Sequence, residues 1–267
     1  VPAIITLTTD FGLRDAYVAE MKAVMLGIVR DVHLVDITHD VAAHDIAEGA
    51  LVLEAAAPRF PPGTVHLAVV DPGVGTARRG LALAWGDWVF VGPDNGLFTP
   101  FLGVGAWTAV ELTAVEFRRD QVSRTFHGRD IFAPAAAHLA RGLDVGRFGP
   151  PLSDPVRLPW PDGLESGGGL RGVVIHVDRF GNLITSIRAE AVKAMGPNVV
   201  VRVGSRRLPL VETYGELREG EAGALIGSGR RLEVAVRGGR AEQHLRAARG
   251  MSVRVSPPRR PSPRNRR

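Results

Sequence analysis

Ala3-Ile4-Ile5-Thr6-Leu7-Thr8, leading through Thr9 into Asp10-Phe11-Gly12, is a β-branched run that stops at a turn. From Tyr17 to Val29 the residues Val18, Met21, Met25, Ile28 and Val29 fall on one helical stripe. His33 to Ile37 reads as a second strand, Ile46 to Ala57 as a second helix and Val65 to Val70 as a third strand. This βαβαβ order favours a parallel sheet with helices on both faces and right-handed crossovers. In such sheets ligands gather beyond the carboxyl ends of the strands. Asp10 and Asp71 each follow the end of a predicted strand.

Downstream the pattern changes. Leu81 to Trp85 and Val89 to Val91 flank Gly86-Asp87 as a hairpin, Gly92 to Gly96 is a loop, and Asp130 to Leu139 is a helix entered through His127-Gly128-Arg129. A proline-rich stretch from Pro150 to Pro161 leads to Ser166-Gly167-Gly168-Gly169, which reads as a linker. Short strands then recur at Val173 to Val177, Leu183 to Ile187, Val199 to Val203, Ala222 to Ile226 and Leu232 to Val236, with one helix near Glu190 to Met195. The predicted organisation is an α/β fold in two domains: a parallel-sheet domain over 1–160, a linker over 161–170, a smaller all-β barrel-like domain over 171–255, and a disordered Arg/Pro tail over 256–267.

The chain has 267 residues, 45% of them apolar and 23% charged, which is globular composition. With no cysteine, disulfides, thiolate nucleophiles and zinc–thiolate sites are excluded, and chemistry falls to carboxylates, histidine, arginine, hydroxyls and backbone. No 18-residue apolar span fits a bilayer and no basic segment precedes an apolar one at the start, so the expected location is cytoplasmic. Lys22 and Lys193 are the only lysines against a net charge of +5, and five arginines crowd the tail. The remainder is close to neutral, so nucleic-acid binding would rest on that tail.

Each motif has a plain structural alternative. Asp71-Pro72-Gly73-Val74-Gly75 is either a ligand-approaching loop or a tight turn capped by Asp71, with Arg78 and Arg79 close enough to pair with it or to face solvent. His127, in Thr125-Phe126-His127-Gly128-Arg129-Asp130, is either reactive or a hydrogen-bonded core histidine. His39 and His44 lack metal-ligand spacing and read as a helix-entry loop with Asp45 as N-cap. Asp178-Arg179-Phe180-Gly181-Asn182 and Gly227-Ser228-Gly229-Arg230 read alone as hairpin turns.

Taken together, Thr8-Thr9-Asp10-Phe11-Gly12, Asp71-Pro72-Gly73-Val74-Gly75, Pro93-Asp94-Asn95-Gly96, Phe126-His127-Gly128-Arg129-Asp130, Phe180-Gly181-Asn182 and Leu232-Glu233-Val234-Ala235 resemble, in order and spacing, the S-adenosylmethionine hydrolases. These hydroxide adenosyltransferases are related to the fluorinase and chlorinase. The resemblance implies attack of water at ribose C5′ to give adenosine and methionine, with no cofactor or metal, in a homotrimer with sites between neighbouring subunits. It places a water-handling set on Asp71, Arg78 and His127, with the ribose at Asp10. The remaining substrate contacts fall on Asn95, Glu233, Asp178, Asn182 and Ser228, the last three at the methionine end, and on backbone near Val236 and Arg237 at the adenine. The same resemblance leaves two alternatives, a halide-dependent adenosyltransferase and a non-catalytic adenosine or S-adenosylmethionine binder. The halogenases replace the Asp71-Pro72-Gly73-Val74-Gly75 segment with a different turn, and the fluorinase's long insertion is missing between Arg79 and Pro93; in the methionine contact, Gly229 departs from the arginine that a halogenase carries there.

Overall fold

The computed structural model describes residues 2–196 and 198–257. The chain divides between Trp160 and Pro161 into two compact units.

In the first unit, β1 (Ala3–Thr9), β2 (Val32–Thr38), β3 (Val65–Val69), β4 (Gly80–Trp85), β5 (Trp88–Pro93) and β6 (Trp107–Glu111) form one sheet in the order β2-β1-β3-β5-β4-β6. Strands β2, β1, β3 and β5 run parallel. The expected parallel sheet is therefore mixed, because Gly86-Asp87 leaves room only for a hairpin between β4 and β5, and β6 joins β4 antiparallel as well. Alternation along β3 sorts the two faces. Val65, Leu67 and Val69 pack with α1 (Tyr17–Ile28) through Met21 and Met25, whereas Ala68 and Val70 pack with α2 (Ile46–Ala56) through Ala50 and Leu53. The short α3 (Thr99–Leu102) adds Phe101 and Leu102 to the second face. Gly128–Phe132 forms one wide π-helical turn that continues into α4 (Ala133–Ala140), whose alanines let it sit close on the first face. Asp45 caps α2 as expected, its carboxylate accepting from Glu48 N–H at 2.9 Å.

The second unit is one antiparallel sheet. Its strands are β7 (Leu164–Ser166), β8 (Gly169–Val177), β9 (Leu183–Arg188), β10 (Val200–Val203), β11 (Arg206–Pro209), β12 (Ala222–Ile226), β13 (Arg231–Val236) and β14 (Ser252–Ser256), with the short helices α5 (Ala189–Ala194) and α6 (Ala241–His244) beside it. The path runs β11-β10-β14-β8-β9-β13-β12, and Leu210 then bridges Ala224 of β12, so the sheet comes close to closing on itself as a barrel.

Residues 161–170, expected as a linker, carry β7 and the start of β8. Ser166 pairs with Gly169 across Gly167-Gly168, whose φ angles of 59° and 75° make a two-residue hairpin turn. The glycines serve left-handed backbone there and not slack chain. The proline-rich stretch before them is fastened to the first unit: Leu152 N–H donates to Ala109 O at 2.8 Å and Val156 N–H to Asp94 at 2.7 Å. Of the expected tail, Ser256 ends β14, and residues from 258 onward lie outside those described.

Candidate active site

Strand β3 ends at Val69, buried Val70 follows, and the chain then leaves the sheet at Asp71 to return at β4. Residues 71–78 form that excursion, and its two ends are tied together. Arg78 Nε donates to Asp71 Oδ1 at 2.9 Å and to Oδ2 at 3.0 Å, and Nη2 donates to Oδ2 as well. The same Nη2 lies 2.9 Å from His127 Nδ1, 49 residues on, and the guanidinium stands 5.0 Å from the Phe132 ring centre. The side chains of Asp71 and Arg78 are only 5% and 11% exposed, so the pair is held in a medium much less screening than water.

The tautomer follows from the donor inventory. Arginine only donates, so His127 Nδ1 accepts and the ring proton sits on Nε2. Burial holds the His127 pKa below the ordinary histidine value, with the Arg78 charge adding to the effect and Asp71 and Asp130 opposing it. The ring is neutral near pH 7 and offers a donor.

Gly75 sets the approach of the two segments. Its φ is 77°, and a Cβ there would stand 2.4 Å from the carbonyl oxygen of Arg124. Only glycine lets the 71–75 turn lie against the strand of chain that delivers His127. Arg79, one residue beyond Arg78, binds Asp94 at 2.7 Å and Asp154 at 2.8 Å and has no part in this cluster.

The cluster borders a cleft of about 380 Å³ lined by Asp71, His127, Phe11, Tyr17, Glu20 and Phe126, with Val69 and Val74 among its other walls. The aromatic members were not singled out from the sequence, although Phe11 and Phe126 stand inside quoted motifs. Arg129 reaches Glu20 at 2.7 Å and the fully buried Asp130 at 2.7 Å, which also accepts from Ser123 N–H.

The other expected residues are placed as follows. Asp10 accepts from the backbone N–H of His44 at 2.8 Å, and His44 has a φ of 67°. His39 is buried between Thr9 and Asp36. Asn95 donates to Val70 O at 2.8 Å and accepts from Leu97 N–H at 3.2 Å, so its amide pins the loop after β5 to the end of β3.

In the second unit Asp178 closes its turn by accepting from the N–H groups of Phe180 and Asn182, and Asn182 Nδ2 donates to Asp178 Oδ2 at 3.0 Å. Glu233 lies over Gly227, where a Cβ would come within 1.6 Å of Oε1, and accepts from Tyr214 OH at 3.2 Å. Burial raises the Glu233 pKa above the usual carboxylate value, the Asp178 charge adds to that, and the Tyr214 bond opposes it. Asp178, Asn182, Glu233 and the Gly227-Ser228 turn thus converge, with Tyr214 as a member not read from the sequence. Arg237 is turned elsewhere: Nη1 donates to the carbonyls of Gly215 and Leu217, its N–H binds Glu221 O, and its own carbonyl accepts from Gly220. Val236 is buried, its carbonyl accepting from Gly239 N–H.

Among the described residues no group of three or more His, Asp or Glu is gathered as a metal site, and no helix is long and apolar enough to cross a membrane.

Comparison with known proteins converges on one family. The family model described as SAM hydroxide adenosyltransferase N-terminal domain matches residues 5–149, and its C-terminal domain counterpart matches residues 172–254. The (R)-S-adenosyl-L-methionine hydrolase of Salinispora tropica is 41% identical over 256 residues, covering 94% of this chain and 97% of the relative. The protein of the same name from Thermus thermophilus is 42% identical over 269 residues, covering 92% and 97%. An uncharacterised conserved protein of Thermotoga maritima, known as a crystal structure, superimposes with a TM-score of 0.89 at 36% identity, over 94% of this chain and 99% of the other.

Proposed function

Because the chain belongs to the SAM hydroxide adenosyltransferase family, we infer that it splits S-adenosyl-L-methionine with water, giving adenosine and L-methionine. The observation that carries the mechanism is the continuous hydrogen-bonded set Asp71–Arg78–His127, whose Asp71 and His127 line a cleft.

The sulfonium is already an activated leaving group, so the difficulty lies with the nucleophile. Bulk water is a very weak acid and supplies little hydroxide at neutral pH. Asp71 has lone pairs to spare beyond those that Arg78 uses and orients the water through one of them. As the O–C5′ bond forms and the C5′–S bond breaks, the sulfur keeps the bonding pair and leaves as the neutral thioether of methionine. The water proton passes to Asp71 and then to solvent. Arg78 and the Nε2–H of His127 stabilise the hydroxide character that develops on the way. A neutral His127 also suits a cationic substrate, since an imidazolium beside the cleft would repel it.

The ribose hydroxyls are assigned to Asp10 and the methionine end to Asp178, Asn182 and Ser228, both on the strength of the motif resemblance. Adenine contacts at Val236 and Arg237, substrate contacts at Asn95 and Glu233, a homotrimeric assembly and a cytoplasmic location rest on that resemblance and on sequence patterning. Light scattering should return a trimer mass, and a fully active monomer would refute the assembly.

Hydrolysis in ¹⁸O-labelled water tests the central reading. The label should appear once in adenosine, at the 5′ oxygen, and not in methionine. A 5′-halogenated nucleoside formed when chloride or fluoride is supplied, with no labelled adenosine, would overturn it in favour of a halide transferase.

A further inference from the structure

Three aromatic rings at the cleft have no place in the water chemistry. Phe11 comes from the turn after β1, Tyr17 opens α1, and Phe126 precedes the π-helical turn. Their centroids lie 5.8 Å (Phe11 to Tyr17), 5.8 Å (Phe11 to Phe126) and 5.2 Å (Tyr17 to Phe126) apart, each pair edge to face. Gly128 lies against this group, a Cβ there standing 3.4 Å from Phe126 and 3.6 Å from Phe11. One face of Phe126 is taken by the Arg129 guanidinium, 5.1 Å from its centre, whose charge is met by Glu20 and Asp130. Tyr17 is the ring left open: it is 47% exposed, it lines the cleft with Asp71 and His127, and its hydroxyl has no hydrogen-bond partner among the described residues. A large ring held half in water costs hydration free energy unless something covers it.

The geometry of displacement says what comes near. Attacking oxygen, C5′ and sulfur must lie on one line with the reacting atoms about 3 to 3.5 Å apart, which leaves the sulfur only about 5 Å from the water held at Asp71. A sulfonium is a soft cation with no N–H or O–H to donate, so a protein can distinguish it from the neutral thioether only through its charge. Aromatic faces recognise such cations, and nearby carboxylates strengthen the field. Glu20 and Asp71 both border this cleft, but each is already paired with an arginine, Glu20 with Arg129 and Asp71 with Arg78, so the ring faces are what a cation would meet.

We propose that the Phe11–Tyr17–Phe126 wall, with Tyr17 as its exposed member, is the sulfonium-recognition surface that makes this enzyme select a sulfonium over the corresponding neutral thioether. The proposal rests on the hydrolase reading above. It adds a consequence: the grip exists only while sulfur carries charge. When the C5′–S bond breaks and its electron pair stays on sulfur, the attraction ends and methionine is released. An interaction that fades toward the transition state strengthens substrate binding without helping the chemical step.

The test is calorimetric binding of S-adenosylmethionine and of its neutral counterpart S-adenosylhomocysteine, in an Asp71→Asn background where turnover is slow, together with kcat and KM in the otherwise unaltered protein. Tyr17→Leu should weaken the sulfonium by about 3- to 30-fold, leave the thioether within about 2-fold, and raise KM without lowering kcat. Tyr17→Phe keeps the ring and should behave as the parent. Equal weakening of both ligands, no change in either, or loss of selectivity in Tyr17→Phe would overturn the aromatic wall. Absence of adenosine release from the unaltered protein would instead overturn the functional reading, so the two failures are distinguishable. Because Tyr17 is half exposed, Tyr17→Leu should fold normally, and circular dichroism checks that directly.

Discussion

Asp71 and Asp10 are both carboxylates just past the ends of parallel strands, yet their partners set them apart. Asp71 is gripped by the Arg78 guanidinium in a nearly dry place, while Asp10 faces the backbone N–H of His44. Asp71→Asn keeps size and hydrogen-bonding capacity but removes the anion that Arg78 pairs with and that takes up the water proton. Turnover should fall by roughly 10²- to 10⁴-fold, with KM little changed. Asp10→Ala should mainly raise KM, because the residue is assigned to the ribose and not to the water. Steady-state kinetics separates the two, and an Asp71→Asn enzyme with unchanged kcat would reduce Asp71 to a turn residue. At this scale the sequence singled out Asp71, Arg78 and His127, each within a short motif, and the structure joins the three by hydrogen bonds. Tyr17 and Tyr214 did not stand out, since each acquires its neighbours only through folding: Tyr17 meets Phe126 from 109 positions away, and Tyr214 meets Glu233 from 19.

Elements were legible where burial marks the sequence: helices α1 and α2 through an apolar stripe, strands β1 and β3 as nearly continuous β-branched and apolar runs buried on both faces, all four within a residue or two of their expected bounds. Strands β7 and β11 did not announce themselves, because Leu164–Ser166 is exposed throughout and Arg206–Pro209 buries one residue, leaving no alternation to read. The 71–78 excursion reads in the sequence as a ligand-approaching loop or a tight turn, whereas its geometry depends on the chain segment at Arg124. Gly75→Ala tests that dependence. The new methyl would meet the Arg124 carbonyl at 2.4 Å in a left-handed conformation that alanine resists, so the turn must move off the segment carrying His127. Activity should drop by at least 10-fold while thermal stability falls by an amount typical of one strained residue, about 1 to 3 kcal/mol. Full activity in Gly75→Ala would show that the close approach is not needed.

For the molecule as a whole, acid is the condition that should discriminate between its two units. His66 lies in the middle of β3, fully buried, with Nδ1 2.7 Å from Thr6 Oγ1, its ring stacked 4.9 Å from Phe90, and Nε2 without a partner. Burial pushes its pKa down to about 4 from the ordinary 6.5. Between those values the unfolded chain binds a proton that the folded unit refuses, so this contribution to stability is complete above pH 6.5 and is lost as pH falls toward 4. A displacement of that size corresponds to about 3 kcal/mol across the window. All four tryptophans, Trp85, Trp88, Trp107 and Trp160, belong to the first unit, so tryptophan fluorescence reports on its unfolding. Urea titrations at pH 7.5 and pH 4.5 should show a larger loss for the parent than for the double variant Thr6→Val with His66→Phe, which replaces both hydrogen-bond partners by apolar groups and keeps a ring against Phe90. The difference between the two losses should approach the His66 contribution. Equal losses would mean that the acid sensitivity of the first unit comes from its carboxylates, with Asp130 and Asp36, whose pKa values are both lowered in the fold, as the next groups to replace.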